Sequence, residues 1–371
     1  MNLSYWEQKS YISNIDFTIV GSGIVGLNCA LQLKTKYPKA KILILERGIL
    51  PQGASTKNAG FACFGSVSEI LSDLESHSET EVLQLVKQRI DGLNLLRNTL
   101  GDTQMNFQNH GGFELFKSSD AELYQKCLNK YEDINKLLNP IFKADVFSLQ
   151  DNPFGFQNIK PKVLFNQFEG QIDTGKMMQA LVNLVQSKGI QILNNIALES
   201  YSEDQNSVKL KTNHFEFTTR KLFIATNGFA SKLIDENVKP ARAQVLITKP
   251  IKNLKVKGTF HLDEGYYYFR NIDDRILLGG GRNLDFKGEE TMVMSQTEEI
   301  QNALEALLNK TILPNTNIEI DQRWSGIMGV GAQKKPVIKA LSEKVFCGVR
   351  LGGMGIAIGS SVGQSLANLV E

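Results

Sequence analysis

Three glycines and one acid carry the first chemical hint in this chain. Gly21, Gly23 and Gly26 stand in the order G-x-G-x-x-G within "IVGSGIVGL", and some twenty residues later an apolar run ends on Glu46. At that spacing each glycine has a task. Gly21 makes a tight turn, Gly23 lets a pyrophosphate approach the backbone, and Gly26 lets a helix pack on a strand. Free N–H groups and the dipole at the helix start favour phosphate. A carboxylate at position 46 can accept hydrogen bonds from ribose hydroxyls. The set suits the ADP half of a dinucleotide, and by itself serves NAD and FAD alike. A glycine-rich turn beside a surface Glu is the plainer reading, but strand, triplet, helix, strand and acid follow one another in register.

The elements around these residues must put them there. "IDFTIV" at 15–20 is a short apolar run, helical spacing follows from Ile24 to Leu33, and "KILILE" at 41–46 is a second buried strand. This β-α-β unit seeds a parallel sheet. "GASTKNAGFACFGS" at 53–66 is a small-residue loop suited to lying against a ligand. Helical patterns at 80–100 and 119–138, with strand-like "HGGFELF" and "PKVLFNQF", suggest an inserted domain. A helix capped by Asp173 or Thr174 and ended by Gly189 follows, then a hairpin-like pair and a buried strand at 222–226. β segments run from 241 to 285. A helix at 295–308, a strand, and a last strand and helix to Glu371 complete the chain.

Length and composition bound the answer. At 371 residues the chain exceeds what one core usually fills. With 42% hydrophobic and 22% charged residues it is composed as an ordinary soluble globular protein. The 41 Lys and Arg against 39 Asp and Glu leave a formal charge of +2 and no dense basic run, which disfavours a dedicated nucleic-acid binder. Cys29, Cys63, Cys127 and Cys347 have no metal-ligand spacing and read as free thiols of a reducing cytoplasm. The start lacks a signal-peptide pattern, and 351–370 is too polar for a membrane span. Cytoplasmic location is the expectation. His77, His110, His214 and His261 show no catalytic spacing and read as structural or surface residues, and no metal cluster is visible.

The segments "GSGIVGL", "LERG", "GASTKNAGF", "LFIATNG", "ARAQVLIT", "GYYYFR", "RILLGGGR" and "RLGGMGIAIGSSVG" occur in an order that resembles the D-amino acid oxidase and glycine oxidase family of flavoproteins, over nearly the whole chain. The resemblance implies an α/β fold: a Rossmann-like FAD-binding domain, discontinuous in sequence, and an α+β substrate domain with an antiparallel sheet. The boundaries expected are 14–80, 165–237 and 325–371 for the first, 81–164 and 238–324 for the second. It also implies FAD, bound non-covalently. Gly21, Gly23, Gly26, Glu46 and Arg47 would hold the ADP moiety, with Ile196 beside the adenine. Ser55, Lys57, Asn58 and Gly60 would meet pyrophosphate and flavin, and Gly353, Met354 and Gly355 the pyrimidine side of the ring.

On the substrate side the resemblance points to Tyr267, which strand alternation puts on the opposite face from Tyr266 and Tyr268. Aromatic residues are also simply good strand formers. The family's carboxylate-binding arginine, shortly after a Trp-x-Gly segment, is replaced here by Met328. Arg270, Arg282 or Arg350 could take that role, with Arg270 and Arg350 foremost; otherwise the substrate has no carboxylate. The activity expected is oxidation of a C–N bond in an amino acid or amine, by hydride transfer to the flavin N5 and hydrolysis of the imine, with oxygen or another electron acceptor. The alternatives are a secondary amine, a polyamine derivative or a modified tRNA base as substrate, or a flavin-binding protein without catalysis.

Overall fold

The computed structural model describes residues 3–370; Glu371, the last residue of the expected FAD-binding domain, lies outside them. Two eight-stranded sheets organise the chain. In the first, Ile15–Val20 lies at the centre, pairing in parallel with Ile42–Leu45 on one side and Glu216–Ile224 on the other. Gln191–Leu193 and Val345–Val349 extend it in parallel, and Val337–Ala340 closes one edge. These strands read as continuous apolar runs because both faces are covered. Helices Ile24–Lys36, Thr174–Ser187 and Gly355–Asn368 bury one face through residues such as Leu27, Leu181 and Ile358. The antiparallel ribbon of Leu198–Glu203 and Val208–Thr212 covers the other through Val208 and Leu210.

The second sheet runs in the order Ile320–Val330, Lys239–Thr248, Arg275–Gly280, Tyr267–Ile272, Thr259–Leu262, Gly112–Glu114, Lys162–Asn166, Phe147–Asp151. Its pairs are antiparallel except Thr259–Leu262 with Gly112–Glu114. One face packs on helix Glu298–Leu307 and an aromatic layer in which the Phe260 and Phe269 rings stack at 4.5 Å. The opposite face looks toward the first sheet. Two expected boundaries, 164/165 and 324/325, fall inside strands. Ile320–Val330 hydrogen-bonds to Lys239–Thr248 along its whole length, so the second sheet takes all of it.

The loop at 53–66 is more ordered than its composition suggests. It holds one helical turn, Ala54–Lys57, and a short strand, Phe61–Ala62, paired with Gly170–Gln171.

Candidate active site: a long cavity between the sheets

A cavity of about 920 Å³ runs between the two sheets, and every residue of the expected cofactor set lines it except Gly26. Gly26 works one layer behind. A Cβ there would come within 2.0 Å of the Gly21 carbonyl oxygen, so helix and strand touch at this point. Gly21 takes a φ of 105°, which a side chain would resist. At Gly23 a Cβ would lie 2.8 Å from Ser55 Oγ, which accepts the Ile24 N–H at 3.0 Å. Gly23 supplies no side-chain cap, and with Ser55 taking the Ile24 N–H, the next N–H groups of the helix, those of Val25 and Gly26, are left open.

Glu46 is buried and fixed: Oε2 accepts the Ser22 hydroxyl at 2.6 Å and the Ser22 N–H at 3.2 Å, while Oε1 accepts the Gly48 N–H at 2.9 Å. Arg47 lays its guanidinium 3.6 Å from the Phe229 ring centroid, and the Ile196 N–H donates to the Glu46 carbonyl at 2.9 Å. Asn58 braces its own loop, accepting from the Gly60 N–H at 2.8 Å and the Thr174 hydroxyl at 2.9 Å. Trp324 Nε1 donates to the Lys57 carbonyl at 3.0 Å. At the far wall Gly353 is nearly free of contacts; a Cβ there would meet only Met328 Sδ at 4.0 Å. An acid at one end, an open helix start beside it and a glycine wall opposite fit an elongated dinucleotide of the FAD kind.

The substrate-side expectations fare differently. Tyr267 does not face the cavity. Its side chain lies in the aromatic core on the far side of the sheet, with Lys117 Nζ 4.9 Å from its ring, and Tyr266 and Tyr268 line the cavity instead. The alternation holds, but the face is reversed, because Tyr267 and Phe269 share the side that packs on the helix. Arg270 does not face the cavity either. Nε donates to the Ala59 carbonyl, Nη2 to that of Ile172 at 2.8 Å and Nη1 to that of Asn271 at 3.3 Å. Burial lowers its pKa to about 10, against the opposing pull of Asp173 and Asp273, so it stays charged at neutral pH. Arg350 does line the cavity, but its Nε and Nη1 are spent on the carbonyls of Lys335 and Asn237, at 3.0 and 3.1 Å. Arg282 also lines it, 4.8 Å from the Phe286 ring, and so does Met328.

The family model described as FAD dependent oxidoreductase (DAO) matches residues 16–369. The chain belongs to the DAO family of FAD-dependent oxidoreductases. It is similar to a curated Haemophilus influenzae protein, "Probable oxidoreductase OrdL", 20% identical over 385 residues that span 97% of this chain and 83% of the relative. Among solved structures it is similar to L-proline dehydrogenase from P. horikoshii, with a TM-score of 0.75 at 17% identity, covering 96% of this chain and 93% of the other. Glycine oxidase from Geobacillus kaustophilus matches with a TM-score of 0.73 at 17% identity, covering 95% and 94%. At such identities these structures show the shared fold.

The DAO-family chain also carries a polar lobe that reading the sequence missed. His261, taken above as structural or surface, is buried in the cavity wall, its Nε2 2.5 Å from Glu169 Oε1. Glu69 Oε2 lies 4.0 Å from His261 Nδ1, and Asp73, engaged by Lys334, lies 3.7 Å from Arg89. His261 and Glu169 are 92 positions apart, so no local spacing signals the pair. Among the described residues no group of three or more His, Cys, Asp or Glu side chains is placed to hold a metal ion, and no helix is long and apolar enough to cross a membrane.

Behind His261, burial pushes the Glu114 carboxyl up to about 7, although hydrogen bonds from Ser68 and Ser66 pull the other way. A carboxyl raised above its ordinary 4.5 contributes stability that is full below that pH and lost as pH rises through about 7. In Glu114→Gln the flavoenzyme is expected to lose less stability between pH 5 and 8 than the parent, read as urea midpoints at each pH. Equal slopes would mean that the carboxyl is not held neutral.

Proposed function

We propose that this chain oxidises the C–N bond of an amine or amino acid, with FAD bound non-covalently along the cavity. The observation that carries the reading is the cavity itself: the glycine turn and Glu46 at one end, and at the other a lobe walled by Tyr266, Tyr268, His261 and Glu69 beside the Ala54–Gly60 segment. Bound FAD would supply the two-electron acceptor for dehydrogenation of the C–N bond to an imine, which water then hydrolyses. The chain's part is to hold and orient. Glu46 and Ser55 would fix the nucleotide, and Gly355 would offer its backbone N–H at the start of the last helix, the Met354 N–H being taken by the Leu351 carbonyl. The Tyr268 phenol, pushed up to about 12 by burial, stays neutral and gives the lobe a polar, uncharged wall.

Two observations favour a substrate without a carboxylate, such as a secondary amine or a polyamine derivative. Met328 presents a thioether at the wall, and Arg270, with Nε and Nη1 of Arg350, is committed to backbone carbonyls, while Arg282, the remaining candidate on the wall, lies against the Phe286 ring. Incubating the protein with D-amino acids, glycine, sarcosine and polyamines, under air and with an artificial dye acceptor, and trapping carbonyl products with a hydrazine tests the reading. Product from at least one amine is expected. Which acceptor supports turnover separates an oxidase from a dehydrogenase, and an absence of product with both would count against amine chemistry.

Non-covalent attachment has its own test. Cys63 lines the cavity, but burial first, then Glu169 and Glu69, push its thiol well above the ordinary range, so it stays a neutral, unreactive thiol. Cys347 is buried in the first sheet and does not line the cavity. Acid precipitation should therefore release the yellow colour to the supernatant, and colour retained in the pellet would show a covalent link.

A further inference from the structure

An amine is mostly an ammonium ion at neutral pH, and a protonated nitrogen has no lone pair to help a hydride leave the neighbouring carbon. A proton must therefore go somewhere before the C–N bond is oxidised. Resting on the amine reading above, we propose that His261 receives this proton through Glu69, and that Glu169 holds the imidazole in the tautomer that permits it.

The geometry assigns the parts. Glu169 is 1% exposed, and its Oε1 accepts the Thr259 hydroxyl at 2.7 Å and faces His261 Nε2 at 2.5 Å. A carboxylate accepts only, so the hydrogen of a neutral imidazole sits on Nε2, and the Nδ1 lone pair is left bare. Oε2, the atom of Glu69 nearest that nitrogen, is 4.0 Å away, so one bridging water or a small side-chain shift must close the gap for the proton to cross. Glu69 belongs to the first turn of helix Val67–Leu74, where Oε2 accepts the Ser66 N–H at 2.9 Å in a capping box. Its Oε1 is left without a hydrogen bond among the described residues and lies against Gly265, where any Cβ would come within 2.9 Å of it. Gly265 thus keeps one oxygen of a cavity-lining carboxylate open to a cationic ligand. The step balances without a further reagent. The ammonium N–H bond breaks toward Glu69, the proton passes on to Nδ1, and a neutral amine, the Glu69 carboxylate and an imidazolium remain.

The groups facing His261 come from several elements. Glu69 comes from the helix, Glu169 from the turn before Gly170–Gln171, Glu114 from the neighbouring strand and Tyr268 from the strand opposite. Cys63 lines the same lobe, and the charges of Asp73, Arg89 and Lys334 are set against one another. Burial by itself would lower the imidazolium, but Glu169, and after it Glu69 and Glu114, outweigh burial and bring the group to about 9. The base form therefore grows as pH rises toward 9, in the range where ammonium ions also titrate, the match that favours proton transfer.

The test uses the FAD-loaded protein, an amine from the panel at saturation, and anaerobic stopped-flow bleaching across pH 6 to 10. The wild-type limiting rate should rise about tenfold per pH unit and level near 9. Glu169→Gln removes the main support of the imidazolium, so the limb should move acidward by about a unit or more. Glu69→Gln should slow bleaching about a hundredfold with FAD content unchanged. An unmoved limb in Glu169→Gln, or a Glu69→Gln rate within about threefold of wild type, would overturn the relay and leave the amine reading standing. A wild-type protein that no amine bleaches would overturn both. Should Glu169→Gln not fold, nitrogen-15 NMR of histidine-labelled wild type at a pH above 9 decides: the relay requires the neutral tautomer with hydrogen on Nε2, and a neutral ring with hydrogen on Nδ1 contradicts it.

Discussion

Gly23→Val is expected to yield a protein that folds but purifies colourless. The first atom a side chain meets there is Ser55 Oγ, 2.8 Å from the new Cβ, with Ser55 Cβ at 3.7 Å. Valine's two methyl groups extend farther and fill the space between the open helix start and the Ala54–Lys57 turn, where the pyrophosphate would lie. Retention should fall from stoichiometric to a trace, measured as flavin per chain after gel filtration. A yellow, stoichiometric Gly23→Val would mean that the nucleotide does not cross this turn.

Arg270→Met is the second change with a large expected effect, and it acts on the loop rather than on a substrate carboxylate. The guanidinium ties the Ala59 carbonyl to that of Ile172, and it lies so close to Gly60 that a Cβ there would come within 2.6 Å of Nη2. Hydrogen bonds to a charged group contribute about 1.5–3 kcal/mol, and methionine leaves those buried carbonyls without a donor. A loss of about that size in urea stability is expected, with faster FAD release, because the Asn58–Gly60 segment loses its brace. An amino acid and its decarboxylated amine should be affected alike. Selective weakening of the acid would return Arg270 to the role of carboxylate reader.

How much of this was legible in the sequence depended on how local each signal was. Gly21, Gly23 and Gly26 are set by a turn and one helix start, so their pattern carried over directly to φ values and close approaches. Glu46 was legible as a position, because the buried strand Ile42–Leu45 ends just before it at the cavity. Tyr267 shows where such reading stops. Period two separates the faces of a strand, but which face looks into the cavity was decided by the packing of Phe260, Phe269 and helix Glu298–Leu307. Arg270 was expected to read a substrate carboxylate, yet what its donors bond depends on carbonyls far away in the chain, at Ala59 and Ile172. His261 and Glu169 meet because Thr259–Leu262 pairs in parallel with Gly112–Glu114 while the Gly111 N–H and the Thr259 hydroxyl both donate to Glu169, and no pattern in these separated segments announces it.

The cavity is expected to bring an amine against a bound flavin. Anaerobic addition of the amine panel to the purified yellow protein, followed by its visible spectrum, tests this most directly. At least one amine should bleach the flavin band completely within seconds to minutes, and readmitting oxygen or a dye acceptor should restore it. A protein that carries FAD, is bleached by dithionite and is untouched by every amine would contradict the account.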